Sequence, residues 1–264
     1  MDAAAFQAFT DRLLARLERE EDVLGLVGLG STSGLPPAPD AFSDHDLFLV
    51  VRPGAQERYR AGLDWLPDAE ALALTFRETA HGVKALYASG HLVELAVFDP
   101  DELGLARVNR YRVLLDRADV AARLERVRLA TVAELSGRTP PGEGWRAGML
   151  LTALVVAGGR AARGEALSGH ALLRSALEHL VALLASRLGP PERAQLDPLD
   201  PMRRVERALP EAGRALDAAL RLPVPAAARA LLEVLLRERP ELVGAPARAA
   251  VERALAGAER AIAR

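Results

Sequence analysis

The sequence predicts an α+β chain in two parts: a mixed sheet with helices in the first half, followed by an all-α helical bundle. Three observations predict it. Short apolar runs of strand length recur between residues 23 and 98, whereas from Asp101 onward helical periodicities dominate and no strand run is read. Between the sheet and the bundle, Ser136 to Gly144 (SGRTPPGEG) packs two prolines and three glycines into nine residues, which reads as a linker. The expected domains are therefore residues 1–136 and 143–264. With 50% hydrophobic and 27% charged residues, the chain has the apolar side chains for a core, which excludes disorder over most of its length.

Each element has its own warrant. Phe6, Phe9, Leu13, Leu14 and Leu17 recur at helical spacing, with Arg12, Arg16, Arg19 and Glu20 opposite, so residues 3–21 read as an amphipathic helix. Val23–Leu29 reads as a strand, and Gly30 to Pro39, rich in glycine and proline, as a loop. Leu47–Val51 is a second strand, stopped by Pro53 and Gly54. Residues 59–66 read as helix, then Ala71–Phe76, Val83–Ala88 and Leu92–Phe98 as strands, the last two joined as a hairpin by Ser89-Gly90. In the second half, helices are expected at 145–163, 168–188, 201–220, 225–238 and 245–263. Ser168 is the expected N-cap of the second, Gly189-Pro190-Pro191 its stop, and Pro210, Pro223 and Pro240 mark breaks or first turns.

Composition narrows function. A net charge of −2 offers no global positive field for a long nucleic acid. The chain has no cysteine, which removes disulfides, thiolate metal sites and a cysteine nucleophile. The N-terminal residues lack the pattern of a signal peptide, and the longest apolar run, Met149–Ala157, is about half a bilayer span. The expectation is a cytoplasmic protein with no membrane partner.

The loop with Gly28, Gly30 and Gly34 superficially matches a dinucleotide fingerprint. It fails on context: a helix must start at the glycines, but three prolines follow and the next element is a strand. That strand is led by Asp44-His45-Asp46. Residues two apart on a strand share a face, so the two carboxylates point together and His45 points away. Two such carboxylates repel unless a cation sits between them, and Mg²⁺ prefers oxygen ligands; alternatively they are solvated acids at a strand start. A third acid, Glu94, sits in the otherwise apolar strand 91–98, where an unpaired carboxylate is costly. It either completes a three-carboxylate cluster with Asp44 and Asp46, faces water, or pairs with Lys84 across the hairpin. Glu78 and Asp99 are the next acids to consider.

In order and spacing these residues resemble the nucleotidyltransferases of the DNA polymerase β-like superfamily: an apolar strand, Gly30-Ser31, a loop, Asp44-x-Asp46 leading an apolar strand, and Glu94 on a later one. The resemblance covers roughly residues 1–100, and the long Pro-rich insert between Ser31 and Asp44 departs from it. A helical half after the catalytic half is similar to the aminoglycoside and lincosamide nucleotidyltransferases, where the bundle helps form the acceptor site. The resemblance implies a Mg²⁺-dependent enzyme in which Gly30 and Ser31 approach a nucleoside triphosphate and Asp44 and Asp46 hold Mg²⁺. Glu94 would be a third ligand or the base that deprotonates the acceptor. It implies AMP transfer from ATP to a hydroxyl of a small molecule, of the aminoglycoside or lincosamide kind, with pyrophosphate leaving and antibiotic resistance as a role. The alternatives are a nucleotidyltransferase acting on a protein or tRNA, as in toxin and antitoxin systems, and a non-catalytic nucleotide-sensing module.

Lys84, the only lysine, could reach a phosphate from its strand or be a surface lysine. Arg110 and Arg112 are either phosphate contacts or an exposed helix face. His91 and Trp145 carry no expected role beyond packing. Arg174 and His179 have a spacing similar to that in HEPN-class RNases. Five residues put them on different sides of a helix, so an i,i+4 pair of Arg174 with Glu178 is the plainer reading.

Overall fold

The computed structural model describes every residue except Pro37 and Arg138, so at those two positions the loop and linker readings lie outside the described residues. The chain is α+β and divides into two compact units, Met1–Arg138 and Thr139–Arg264.

The first unit opens with helix α1 (Ala3–Leu17), whose N-terminus is capped by the Asp2 carboxylate accepting the Ala5 N–H at 2.8 Å. It is shorter than the 3–21 expected. Residues 19–22 are all charged and offer no apolar side chain to extend the stripe, and Arg117 donates instead to the carbonyls of Glu20 and Val23. Strands β1 (Val23–Leu29) and β2 (His45–Val51) follow, then a short helix α2 (Gln56–Ala61). After it come β3 (Leu72–Arg77), β4 (Gly82–Tyr87), β5 (Leu92–Phe98), β6 (Tyr111–Asp116) and helix α3 (Val120–Gly137).

The sheet order is β3-β4-β5-β2-β1-β6. β2 and β5 pair in parallel, and the other described pairs are antiparallel. β6 corrects the expectation that strands end before Asp101. Six residues with polar ends are too short a pattern to stand out from a helical stretch, and it is the pairing with β1 that makes them a strand. Asp116 then starts α3 by accepting the N–H groups of Val120 and Ala121.

The sheet has two differently used faces. One packs His45, Leu47 and Leu49 of β2 and Val93, Leu95 and Val97 of β5 toward α1, whose Phe9, Leu13 and Leu17 complete a core. The other packs Val27, Val50 and Phe98 against Leu103, Val108 and the α3 residues Val120, Leu124 and Val127. Near the start of β2 this second face carries Asp46, Glu94 and Lys84, all of them only partly buried.

The second unit is helical: α4 (Glu143–Ala162), α5 (Ala166–Ala185), α6 (Pro190–Arg193), α7 (Val205–Ala208), α8 (Pro210–Leu220), α9 (Val224–Glu238) and α10 (Ala245–Ile262). The helix expected at 201–220 is two, because Pro210 has no N–H to continue the ladder and begins a new helix. Ser168 lies inside α5 rather than capping it. Gly189-Pro190-Pro191 lies after the end of α5, and its prolines start α6. Leu150, Leu154, Leu173, Leu180, Leu231, Leu235 and Leu255 fill one core. Arg239, 1% exposed, ties the bundle ends together. It donates to the Leu183 carbonyl at the C-terminus of α5, to Glu143 in the first turn of α4 and to Glu241 at 2.8 Å. Among the described residues no helix is long and apolar enough to cross a membrane.

Replacing Arg239 tests this tie. Both glutamates are about half exposed and can be rehydrated, and the Leu183 carbonyl keeps the Ser186 hydroxyl at 2.8 Å, so the loss is set by the buried charge-assisted bond from Arg239 to that carbonyl. Arg239→Met is expected to cost about 1–3 kcal/mol, measured as a lowered denaturation midpoint.

Candidate functional site

The site is built on the register of two neighbouring strands. Asp46 of β2 pairs with Glu94 of β5, and Glu94 pairs with Lys84 of β4. Residues opposite one another in a sheet share a face, so these three side chains stand in one row, with strands about 4.8 Å apart. Asp44 lies one residue before β2 and is partly buried.

Lys84 is the cation of the row. Its Nζ lies 2.9 Å from Glu94 Oε1 and 3.0 Å from Glu78 Oε1, and hydrogen bonds to Glu94 first and Glu78 second hold its pKa above the ordinary lysine value. Pairing with Lys84 is thus the partner found for Glu94. Among the described residues no group of three or more histidine, aspartate or glutamate side chains forms a ready-made metal cage. Asp99 is engaged elsewhere: Oδ1 accepts the N–H groups of Asp101 and Glu102, and Oδ2 accepts from Gln56. A pocket of about 230 Å³ opens beside the row, lined among others by Leu29, Asp46, Phe48, Glu78, Gly82 and Glu94.

Beside Asp46 the chain leaves β1 through a 3-10 turn, Gly30–Ser33, not through the α-helix a dinucleotide fingerprint needs. Thr32 Oγ1 accepts the Asp46 N–H at 3.2 Å and Ser33 Oγ donates to the Gly30 carbonyl at 2.7 Å, so these two hydroxyls hold the turn against β2. Ser31, partly buried, has the one hydroxyl of the turn that hydrogen-bonds to none of the described residues. Two glycines are required. A Cβ on Gly28 would lie 2.4 Å from the Thr32 carbonyl oxygen. One on Gly30, which has φ +47°, would lie 2.7 Å from Asp46 Oδ2.

Arg110 and Arg112 belong to the β6 region rather than to a helix face. Arg110 donates to the Pro36 carbonyl, and Arg112 Nη1 lies 3.1 Å from where a Gly34 Cβ would be. In the second unit Arg174 pairs with Glu178 at 3.2 Å, while the His179 ring meets Trp145 edge-on at 5.4 Å, so the i,i+4 reading holds.

Behind Asp46, on the opposite face of β2, lies a group the sequence reading passed over. His45 is fully buried, its ring stacked on Phe6 at 3.7 Å. Its Nε2 is 2.9 Å from Thr10 Oγ1 and its Nδ1 is 2.8 Å from His91 Nε2. Burial, and then the charge of His91, push the His45 pKa down to about 3, so the ring is neutral. The only sequence signal was a polar residue at a core-facing strand position.

No protein-family model matches the chain, and no curated protein sequence matches it. Among solved structures it is similar to an aminoglycoside 6-adenyltransferase from Bacillus subtilis, at 11% identity over 95% of this chain and 97% of that one, with a TM-score of 0.36. It is similar also to a nucleotidyltransferase-like protein from Exiguobacterium sibiricum 255-15, at 12% identity over 88% and 75%, with a TM-score of 0.33. A third likeness is to a CdnC:HORMA-deltaN complex of E. coli MS115-1, at 14% identity over 92% of each chain, with a TM-score of 0.29.

The contact between Gly30 and Asp46 can be tested directly. Gly30→Ala adds a Cβ where the Asp46 carboxylate lies and strains a left-handed backbone position. It is expected to lower the first unit's unfolding midpoint and leave the second unit's unchanged, read by thermal denaturation.

Proposed function

We propose that the chain is a Mg²⁺-dependent nucleotidyltransferase that transfers AMP from ATP to a hydroxyl of a small molecule, with aminoglycosides and lincosamides the first acceptors to test. The observation that carries this reading is the pairing of Asp46 with Glu94 on adjacent strands, directly beside the Gly30-Ser31 turn. The donor set suits the metal: Mg²⁺ is commonly held by one or two carboxylates plus substrate phosphates rather than by an all-protein cage. Asp44 and Asp46 would hold it, and Gly30, with no side chain, leaves the space beside Asp46 open. When bound, the metal would supply positive charge to the phosphate oxygens of the nucleotide.

The chain's own groups have distinct tasks. Ser31, whose hydroxyl bonds to none of the described residues, would approach the triphosphate. Lys84 presents a second cation in the same row and holds Glu94 in place at 2.9 Å. Glu94 already has Lys84 as its counter-ion and so has less need of a dication, and we read it as the base rather than as a ligand. The acceptor oxygen loses its proton to Glu94 and bonds to the α-phosphorus as the bond to the β-phosphate bridge breaks and pyrophosphate leaves. Positioning and electrostatics carry most of the rate.

The test is a pyrophosphate-release screen of each NTP against a panel of aminoglycosides and lincosamides. Release with ATP is expected to require a divalent cation and to stop with EDTA, and Asp46→Asn is expected to weaken metal-dependent ATP binding. Equal ATP affinity with and without the metal, together with no release from any pair, would remove the reading. For Glu94→Gln the fold is expected to survive while turnover falls about 10²- to 10⁴-fold with ATP affinity nearly intact. Affinity that falls alongside it would make Glu94 a ligand instead.

A further inference from the structure

Resting on the reading of Asp44 and Asp46 as the metal-binding pair, we infer that His45, the residue between them, is a positioning residue. It pegs the start of β2 through a buried string that runs from His91 through His45 to Thr10. The string is continuous. Thr10 Oγ1 lies 3.2 Å from the Phe6 carbonyl and 2.9 Å from His45 Nε2, and His45 Nδ1 lies 2.8 Å from His91 Nε2, so each ring nitrogen of His45 has a partner whichever of them carries the proton. Every polar atom of the imidazole is satisfied, and the ring is enclosed by Phe6 at 3.7 Å and Phe9 at 4.7 Å.

An apolar side chain would fill this place without needing partners, as Leu47 and Leu49 do further along the same face. What imidazole adds is location. A leucine tolerates a small slide along the core, whereas a buried imidazole with two fixed partners is satisfied in only one position, and displacement leaves polar atoms orphaned. The need for a peg is local. Asp44 lies before the first residue of β2, after a long loop, where strand ends fray most readily. Because consecutive side chains point to opposite faces, fixing the ring of His45 behind the sheet fixes the backbone from which Asp46 projects in front and to which Asp44, one residue before the strand and within electrostatic reach of His91, is joined.

The test compares shape-matched variants at the far end of the string, which touches neither carboxylate. The probe is Mn²⁺ with the non-transferable analogue α,β-methylene-ATP, and affinity is read by calorimetry well below the unfolding midpoint of each variant. Thr10→Val keeps the volume and removes the hydroxyl; Thr10→Ser keeps the hydroxyl. The expected result is at least tenfold weaker Mn²⁺-dependent binding for Thr10→Val, as is typical of outer groups that orient ligands, with recovery in Thr10→Ser. His91→Leu, which cuts the other end and also removes a group within electrostatic reach of Asp44, is expected to weaken binding at least as much as Thr10→Val. A purely structural role would lower the midpoints and leave affinity unmoved. Wild-type affinity in both Thr10→Val and His91→Leu, with Asp46→Asn weakened, overturns the inference and spares the metal reading. Binding that ignores Mn²⁺ in the wild type and in Asp46→Asn alike overturns the metal reading and the inference with it.

Discussion

The pairing of β2 with β5 in parallel is the constraint on which the first unit depends. β2 is held on one side by β5 and on the other by β1, so its register is fixed from both edges. Its side chains alternate between a core under α1 and the face that carries the acids, and a slip of one residue would exchange the two sets. Asp46 would then enter the α1 core and Leu47 would take its place beside Glu94. The apolar packing of Leu47, Leu49 and Val51 therefore does more than stabilise the sheet: it decides which face presents a carboxylate.

The same register places like charges side by side at the start of the strand. Asp46 and Glu94 are neighbours across a ladder where like charges repel, and the fold answers with Lys84 on the next strand. The turn after β1 contributes in a different way, through closeness rather than charge. Gly28 lets the turn fold back onto its own strand, and Thr32 anchors it to the backbone of Asp46. Strand register, the turn and the ion pair thus converge on one short stretch of the central strands beside a small pocket.

Much of this was legible in the sequence, for identifiable reasons. Alternating and apolar runs marked β1 to β5, and a carboxylate in the middle of an apolar strand flagged Glu94 as a residue in need of a partner. The sequence alone could not choose between Lys84 and a shared site with Asp44 and Asp46, because that depends on which strand lies on each side of β5. In the structure β4 lies on one side and β2 on the other, so Glu94 pairs with Lys84 and also neighbours Asp46. β6 was missed because its short run lies where helical periodicities dominate the sequence, and an exposed helix face was consequently one of the two readings given to Arg110 and Arg112. His45 was noted only as pointing away from the acids. Its partners Thr10 and His91 are 35 and 46 residues distant in sequence, and no local pattern links them.

The choice of lysine at position 84 follows from the same geometry. Arginine is the basic residue everywhere else in this chain, so composition does not explain it. A guanidinium is a planar fork that favours two parallel bonds to one carboxylate, which would engage both oxygens of Glu94. An ammonium is a compact point charge with three rotatable donors, and here it is shared between Oε1 of Glu94 and Oε1 of Glu78. Sharing ties Glu78, just after β3, to Glu94 on β5, on the face that also presents Asp46. A single compact nitrogen therefore links two acids of the first unit, and it does so from a strand position that is itself only partly buried.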